Sequence, residues 1–241
     1  MATNMTDDIL YLVMPAYNEE ENIENVVREW YGIVEGINAE SRLVVADSGS
    51  NDRTHEILTK LQVEFPQLEI LEDSMKQHGP KLIALYNYAI GKGADYVFQT
   101  DSDGQTKSEE FDLFWRHRHD YAAIIGDRTK RGDGFIRKLV EDVLCLILRL
   151  YFCVRIPDAN APFRLFKVDV LKKYMSYFEE DYNLPNAMLV VFLKYYNENI
   201  SFERITFENR KAGKNSINIP KICRIGFKAL KDFGRFRKAM R

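Results

Sequence analysis

One local pattern, used three times, restricts this chain more than any other feature: a short apolar run that ends abruptly in a cluster of carboxylates, amides and hydroxyls. Tyr11-Leu12-Val13-Met14 leads into PAYNEE, Leu43-Val44-Val45-Ala46 into DSGSND, and Tyr96-Val97-Phe98 into QTDSDGQ. Apolar runs of this length bounded by polar clusters predict buried strands. After the first, Ile23, Val26, Val27, Trp30 and Val34 recur at the three-and-four spacing of a helix face, and Ile57, Leu58 and Leu61 mark a helix after the second. Leu68 to Leu71 reads as a further strand, and Pro80 suits the first turn of a helix that stops near Gly91 and Gly93. Strand and helix in alternation predict an α/β fold whose mainly parallel sheet is covered by helices on both faces. Such sheets bind ligands beyond the carboxyl ends of their strands, so the three polar clusters are expected on one edge, sharing a site.

The second half is less regular. Thr106 and Glu109 have capping-box spacing for a helix start, Ala122 to Gly126 reads as a strand, Phe135 to Val154 as largely helical, and Ile200 to Asn209 alternates as an edge strand does. With no internal repeat and no low-complexity linker, residues 1–217 read as one catalytic-sized domain and residues 218–241 as a separate C-terminal helix. A chain of 241 residues with 46% hydrophobic content can bury a substantial core.

Charge is distributed unevenly. The net charge is −2, but the last 21 residues carry eight Lys and Arg against Asp232 alone, so the tail is strongly cationic and the body acidic. An acidic body argues against nucleic-acid binding, and the tail is expected to meet an anionic partner. In that tail Ile222, Ile225, Gly226, Ala229, Leu230, Phe233, Phe236 and Met240 fall at three and four, with basic residues between them. An apolar stripe beside a cationic face suits the headgroup region of an anionic membrane; packing on the domain with a solvated basic side is the other reading. Cys145, Cys153 and Cys223 cannot all pair and lack metal-ligand spacing, which predicts a reducing compartment. The N-terminal MATNMTDDIL has no secretory pattern. The most apolar stretch, Val143 to Val154, is too short to span a bilayer and is interrupted by Arg149. These features predict a cytoplasmic protein, peripheral on the inner face of the cell membrane.

The chemistry concentrates in QTDSDGQ. Residues i and i+2 of an extended segment point the same way, so Asp101 and Asp103 can aim both carboxylates at one point, where hard oxygen ligands suit Mg2+ or Mn2+. Gln105 adds a neutral oxygen on the same side. Taken alone, D-x-D in a loop reads first as solvated acids; its place after a parallel strand strengthens the reading of a metal bridging nucleotide phosphates. Candidate phosphate partners are Arg128 and Arg131 in GDRTKR, Arg164 in NAPFRLF, and Arg210, Lys211 and Lys214 in NRKAGKNS. Each singly reads as a surface ion pair; together they lie beside glycine or proline, where backbone can approach a ligand.

The ordered series MPAYNEEENI, ADSGSNDRT, KQHGPK, TDSDGQ, IGDRTKR, DANAPFRLF and NRKAGKNSIN resembles family 2 glycosyltransferases of the GT-A fold, particularly the dolichol-phosphate mannose synthase-like branch. The resemblance covers roughly residues 9–218. It implies that Pro15, Tyr17 and Glu19 cradle a nucleotide, that Asp47 reads its base, and that Lys81 and Ser102 belong to the same nucleotide-sugar site. Asp101, Asp103 and Gln105 match the metal-binding D-x-D-x-Q, and Arg128, Arg164, Arg210 and Lys214 fall where the family holds phosphate charge. Two segments depart from the pattern: Asp47-Ser48-Gly49-Ser50 lacks a second acid, and Asp158-Ala159-Asn160-Ala161-Pro162-Phe163-Arg164 differs in its middle.

The implied reaction is transfer of a sugar, with inversion, from a UDP- or GDP-linked donor to a polyprenyl phosphate or lipid-linked acceptor at a membrane; a homo-oligomer is compatible with it. A phosphate acceptor is already anionic near neutral pH. A sugar hydroxyl would need a base, for which Asp181 in FEEDYNL, with Glu179 and Glu180, is the candidate; the same acids also suit a helix start. Other classes fit less well. A sugar nucleotidyltransferase would show a glycine-rich loop after the first strand, a dehydrogenase its dinucleotide fingerprint, and a silent membrane-binding module the loss of an acid from D-x-D.

Overall fold

The computed structural model describes residues 7–131, 135–209 and 219–240. Seven strands form one sheet: β1 (Leu10–Ala16), β2 (Arg42–Asp47), β3 (Leu68–Leu71), β4 (Tyr96–Gln99), β5 (Ala123–Arg131), β6 (Arg164–Lys167) and β7 (Ile200–Phe207). Their order is β3-β2-β1-β4-β6-β5-β7. All neighbours are parallel except β6, which runs antiparallel to both β4 and β5. The sequence pattern assigns no strand to β6, RLFK: with Arg164 and Lys167 at its ends, only two apolar residues remain to mark it.

The helices are α1 (Ile23–Ile37), α2 (Thr54–Glu64), α3 (His78–Gly91), α4 (Phe111–Arg116), α5 (Phe135–Phe152), α6 (Val168–Met175), α7 (Pro185–Tyr195) and α8 (Ile219–Ala239). The two-residue period of β1 divides them between two cores. Leu10, Leu12 and Met14 join residues of α1, α2 and α4, with Trp30 against Phe98 and Phe163. Tyr11 and Val13 join α3, α5, α6, α7 and α8. The sheet is therefore buried on both faces, as its continuous apolar runs require. Thr106 does not cap a helix: its hydroxyl pairs with that of Thr100 at 2.7 Å, and a short 3-10 turn, Ser108–Glu110, precedes α4.

The C-terminal helix corrects one expectation. Ala229, Phe233, Phe236 and Met240 are buried in the second core, so this part of the apolar stripe faces the domain and not a headgroup layer. Phe233 meets Tyr151 and Phe152, and Phe236 packs edge-on against Phe178, Tyr182 and Phe192. Five aromatic contacts, made by two rings three residues apart, fix this helix. Phe236→Ala is expected to cost about 3–5 kcal/mol in urea unfolding; an unchanged midpoint would mean that α8 stands apart from the domain.

Candidate active site

At the carboxyl ends of β1 and β4 the loops enclose a cavity of about 480 Å³. It is lined by Pro15, Tyr17 and Glu19 after β1, by Lys76, His78 and Lys81 around the start of α3, and by Asp101, Ser102 and Asp103 after β4. Asn183 and Leu184, ahead of α7, close one side. Two of the three polar clusters thus line one cavity, and the third, DSGSND, braces the first.

That bracing is a set of hydrogen bonds between loops far apart in sequence. Asn18 adopts a left-handed backbone (φ 54°), which amides tolerate better than most side chains. Its N–H donates to the Ser50 hydroxyl at 3.0 Å and its side-chain oxygen accepts from the Asn51 N–H at 2.8 Å. The Glu19 N–H donates to the Thr54 hydroxyl at 2.8 Å, and the Glu19 carboxylate accepts from the Asn22 amide at 2.8 Å. Ser102 then ties the β4 loop to the β1 end by donating to the Pro15 carbonyl at 2.9 Å.

The carboxylates are held from their own loop. Asp103 Oδ1 accepts from the Gln105 N–H at 3.1 Å across Gly104, whose φ of 70° makes the turn. Asp101 remains about a quarter exposed, and Oδ1 lies 3.2 Å from His78 Nε2. Among the described residues no group of three His, Cys, Asp or Glu side chains forms a metal cage. Two carboxylates on one cavity wall fit a cation that takes its other oxygens from a diphosphate and water, the usual habit of Mg2+. Gln105 is placed differently from the expectation: its side chain is buried outside the cavity lining, with Nε2 donating to the Glu208 carbonyl at 2.6 Å.

The cations divide into two kinds. Lys81 is 1% exposed, donates to the Ala16 carbonyl and lies 5.6 Å from the centre of the Tyr17 ring, over which Lys76 Nζ sits at 4.6 Å. Burial lowers the Lys81 pKa to about 8, opposed by the charge of Asp47. Asp47 itself is buried at the end of β2, accepting from Ser50 at 2.5 Å with His55 Nδ1 at 3.4 Å. By contrast, Arg128 and Arg164 lie within the protein. Arg128 donates from Nε and Nη2 to the two carboxylate oxygens of Asp158 at 2.6 and 2.8 Å, and Glu141 on α5 stands 3.5 Å from it. Arg164 is fully buried and donates to the carbonyls of Ala161, Asn186 and Ala159 at 2.6, 2.7 and 2.8 Å. Both hold the 158–164 segment, a structural engagement their sequence neighbourhoods did not announce. Arg210 and Lys214 lie outside the described residues.

The acidic FEEDYNL segment approaches the cavity through its end, not its acids. Glu179 pairs with Arg235 of α8, Asp181 is exposed, and Asn183 is the polar residue of the segment that lines the cavity. A Cβ on Gly79 would fall 2.5 Å from the main chain of Asn183, so α3 and this segment touch only because residue 79 is glycine. Sequence reasoning passed over Lys76, His78, Gly79 and Asn183; the Gly-Pro pair in KQHGPK, marking close backbone approach, was the available signal.

Gly79→Ala must push residues 182–184 away from α3, and is expected to cost about 1–3 kcal/mol together with most ligand affinity at the cavity; an unaltered protein would remove the close contact. For Lys81, the unfolded chain keeps a proton between about pH 8 and its ordinary pKa near 10.4 that the folded chain has released. Its contribution to stability therefore rises with pH across that window, and Lys81→Met should flatten the rise in urea titrations. Parallel curves for the two proteins would contradict a buried lysine.

Strand order, the single antiparallel strand and the loop cavity define the GT-A fold. Residues 11–175 match the model of glycosyl transferase family 2, and the chain belongs to that family. It is 26% identical over 188 residues to undecaprenyl-phosphate 4-deoxy-4-formamido-L-arabinose transferase of Pectobacterium atrosepticum, covering 75% of this chain and 56% of that one. It is 24% identical over 166 residues to undecaprenyl-phosphate mannosyltransferase of Micrococcus luteus, covering 66% and 67% respectively. The chain thus spans about half the length of the first of these relatives. Glucosyl-3-phosphoglycerate synthase of Mycobacterium tuberculosis, solved with Mn2+, UDP and its product, shares the fold with a TM-score of 0.70. The match is 17% identical and covers 95% of this chain and 81% of that one.

Proposed function

We propose that the protein transfers a sugar from a nucleotide diphosphate sugar, UDP-linked in preference to GDP-linked, to a polyprenyl phosphate. One observation carries this reading: paired carboxylates and lysines share one cavity wall system beside an exposed tyrosine ring, at the strand edge where this fold binds nucleotides. The relatives named for undecaprenyl-phosphate transfer support the acceptor class, and the fold relative bound to UDP supports the donor.

In this reading Tyr17 supplies a face for the base and Asp47 accepts from it. Lys76 and Lys81 face the negative charge of the diphosphate. Asp101 and Asp103 would hold Mg2+ or Mn2+, which when bound supplies Lewis-acid neutralisation of the leaving diphosphate. Ser102, by holding the β4 loop to the Pro15 carbonyl, keeps that pair at the cavity wall. Arg128 and Arg164 act as positioning residues, fixing the 158–164 segment through Asp158 and through main-chain carbonyls. An acceptor phosphate is ionised near pH 7 without help from a protein base. That suits a cavity whose acceptor-side lining is Asn183 and Leu184, with none of the acids of FEEDYNL in it. Transfer to a sugar hydroxyl, with Asp181 as base, would require this exposed side chain to turn inward.

The test is release of nucleotide diphosphate from a panel of UDP- and GDP-sugars, with Mg2+ or Mn2+ and a short-chain prenyl phosphate. Asp103→Asn should lower turnover by about 10²–10³-fold, the usual cost of removing one electrostatic stabiliser, with the folded circular dichroism spectrum retained. An undiminished rate would take the carboxylate pair out of the reaction.

A further inference from the structure

The second face of α5 is not used by the fold. Glu141, Cys145, Leu148 and Phe152 turn inward, while Leu139, Val143, Leu146 and Leu150, at spacings of four, three and four, stand about half or more exposed on the opposite side. Leu150 reaches 69%. A continuous exposed leucine and valine stripe is uncommon on a soluble surface and marks a place where something docks. No helix among the described residues is long and apolar enough to cross a membrane, so the stripe is not part of a span.

The surroundings of the stripe say what kind of surface it meets. Lys138 and Arg149 flank it on α5. Alongside packs α8, joined to α5 through Phe233 against Tyr151 and Phe152, and its outer face exposes Lys231, Arg235, Arg237 and Lys238. Against these six exposed cations the same two helices expose one acid among the described residues, Asp142. Apolar side chains rimmed by lysine and arginine suit the headgroup layer of an anionic bilayer, where the leucines enter the acyl boundary and the cations remain among phosphates. A second copy is a poorer occupant, because a two-fold contact would set one cationic rim against another.

We propose that α5 is the membrane-docking helix of this protein, its Leu139–Leu150 stripe inserted into an anionic lipid surface and the basic face of α8 lying over the headgroups. Ala229, Phe233, Phe236 and Met240 of the α8 stripe are covered by the domain; the stripe of α5 is open. This rests on the reading of a lipid-linked acceptor given above, and it adds a physical link. Glu141, on the inward face of the docked helix, accepts from the Ala159 N–H at 2.8 Å and faces Arg128. The helix in the bilayer is thereby bonded to the 158–164 segment, whose Arg164 in turn donates to the Asn186 carbonyl at the start of α7.

Flotation with phosphatidylcholine vesicles, with and without phosphatidylglycerol, tests the proposal. The wild-type chain should float with the anionic vesicles, less at high salt, and Leu146→Ser/Leu150→Ser should lower binding at least about tenfold. Leu139→Ser provides an independent variant on the same stripe. All three leucines are exposed, so the fold and turnover of a water-soluble short-chain prenyl phosphate should be unchanged. A wild-type chain that turns over the soluble acceptor but ignores anionic vesicles would overturn the docking and leave the transferase reading intact. Vesicle binding that depends on the stripe, without any sugar transfer, would do the reverse. Equal flotation of the variants, or a dimer in light scattering that the variants convert to monomer, would also overturn it.

Discussion

Two carboxylates held at the end of one strand set the terms for the rest of the molecule. Asp101 and Asp103 repel each other wherever no cation or proton lies between them, so the fold must hold their loop against that repulsion. It does so with the Ser102 bond to the Pro15 carbonyl, the turn at Gly104 that brings the Gln105 N–H to Asp103, and the His78 ring beside Asp101. Each restraint is anchored on a different element, β1, the β4 loop itself and α3. The negative site is thus built into the sheet edge and does not depend on a mobile loop tip.

From that edge a chain of contacts runs to the C-terminus. The Gly79 backbone touches Asn183; Tyr182 and Glu179, a few residues before it, pack against Phe236 and pair with Arg235 of α8. On the other flank Glu141 connects α5 to Arg128, Asp158 and the Ala159 N–H. Helix α8 therefore abuts the segment that ends in the cavity-lining Asn183 and Leu184, and α5 abuts the 158–164 segment. Docking of the protein and arrangement of its site draw on the same contacts, which gives a structural reason for the irregular second half of the chain.

Much of the fold was legible because strand runs of Val, Leu and Tyr ended in Gly, Pro and Asn at each turn, and because both faces of the sheet are buried. β1 to β4 and their helices follow from that pattern alone. The carboxylate pair was legible for the same reason, since its place after a parallel strand is a matter of topology. What failed was information about partners in three dimensions. The periodicity of residues 222–240 marks an apolar face, yet nothing local says whether Phe233 and Phe236 meet lipid or Tyr151 and Tyr182. Arg128 and Arg164 have the flanking residues of phosphate ligands, but their donors are engaged by Asp158 and by backbone carbonyls brought from elsewhere. β6 has only Leu165 and Phe166 between Arg164 and Lys167 and so showed no apolar run, and Thr106, spaced as a cap, instead found Thr100 across a tight turn.

The central claim is that Asp101 and Asp103 bind a divalent cation jointly with the diphosphate of a nucleotide. Electron paramagnetic resonance of Mn2+, titrated into the protein with and without UDP, measures this directly. The account predicts weak Mn2+ binding alone, strong binding once UDP is present, and loss of both in Asp101→Asn/Asp103→Asn. Mn2+ binding indifferent to UDP, or UDP bound equally well by that variant without any metal, would contradict it.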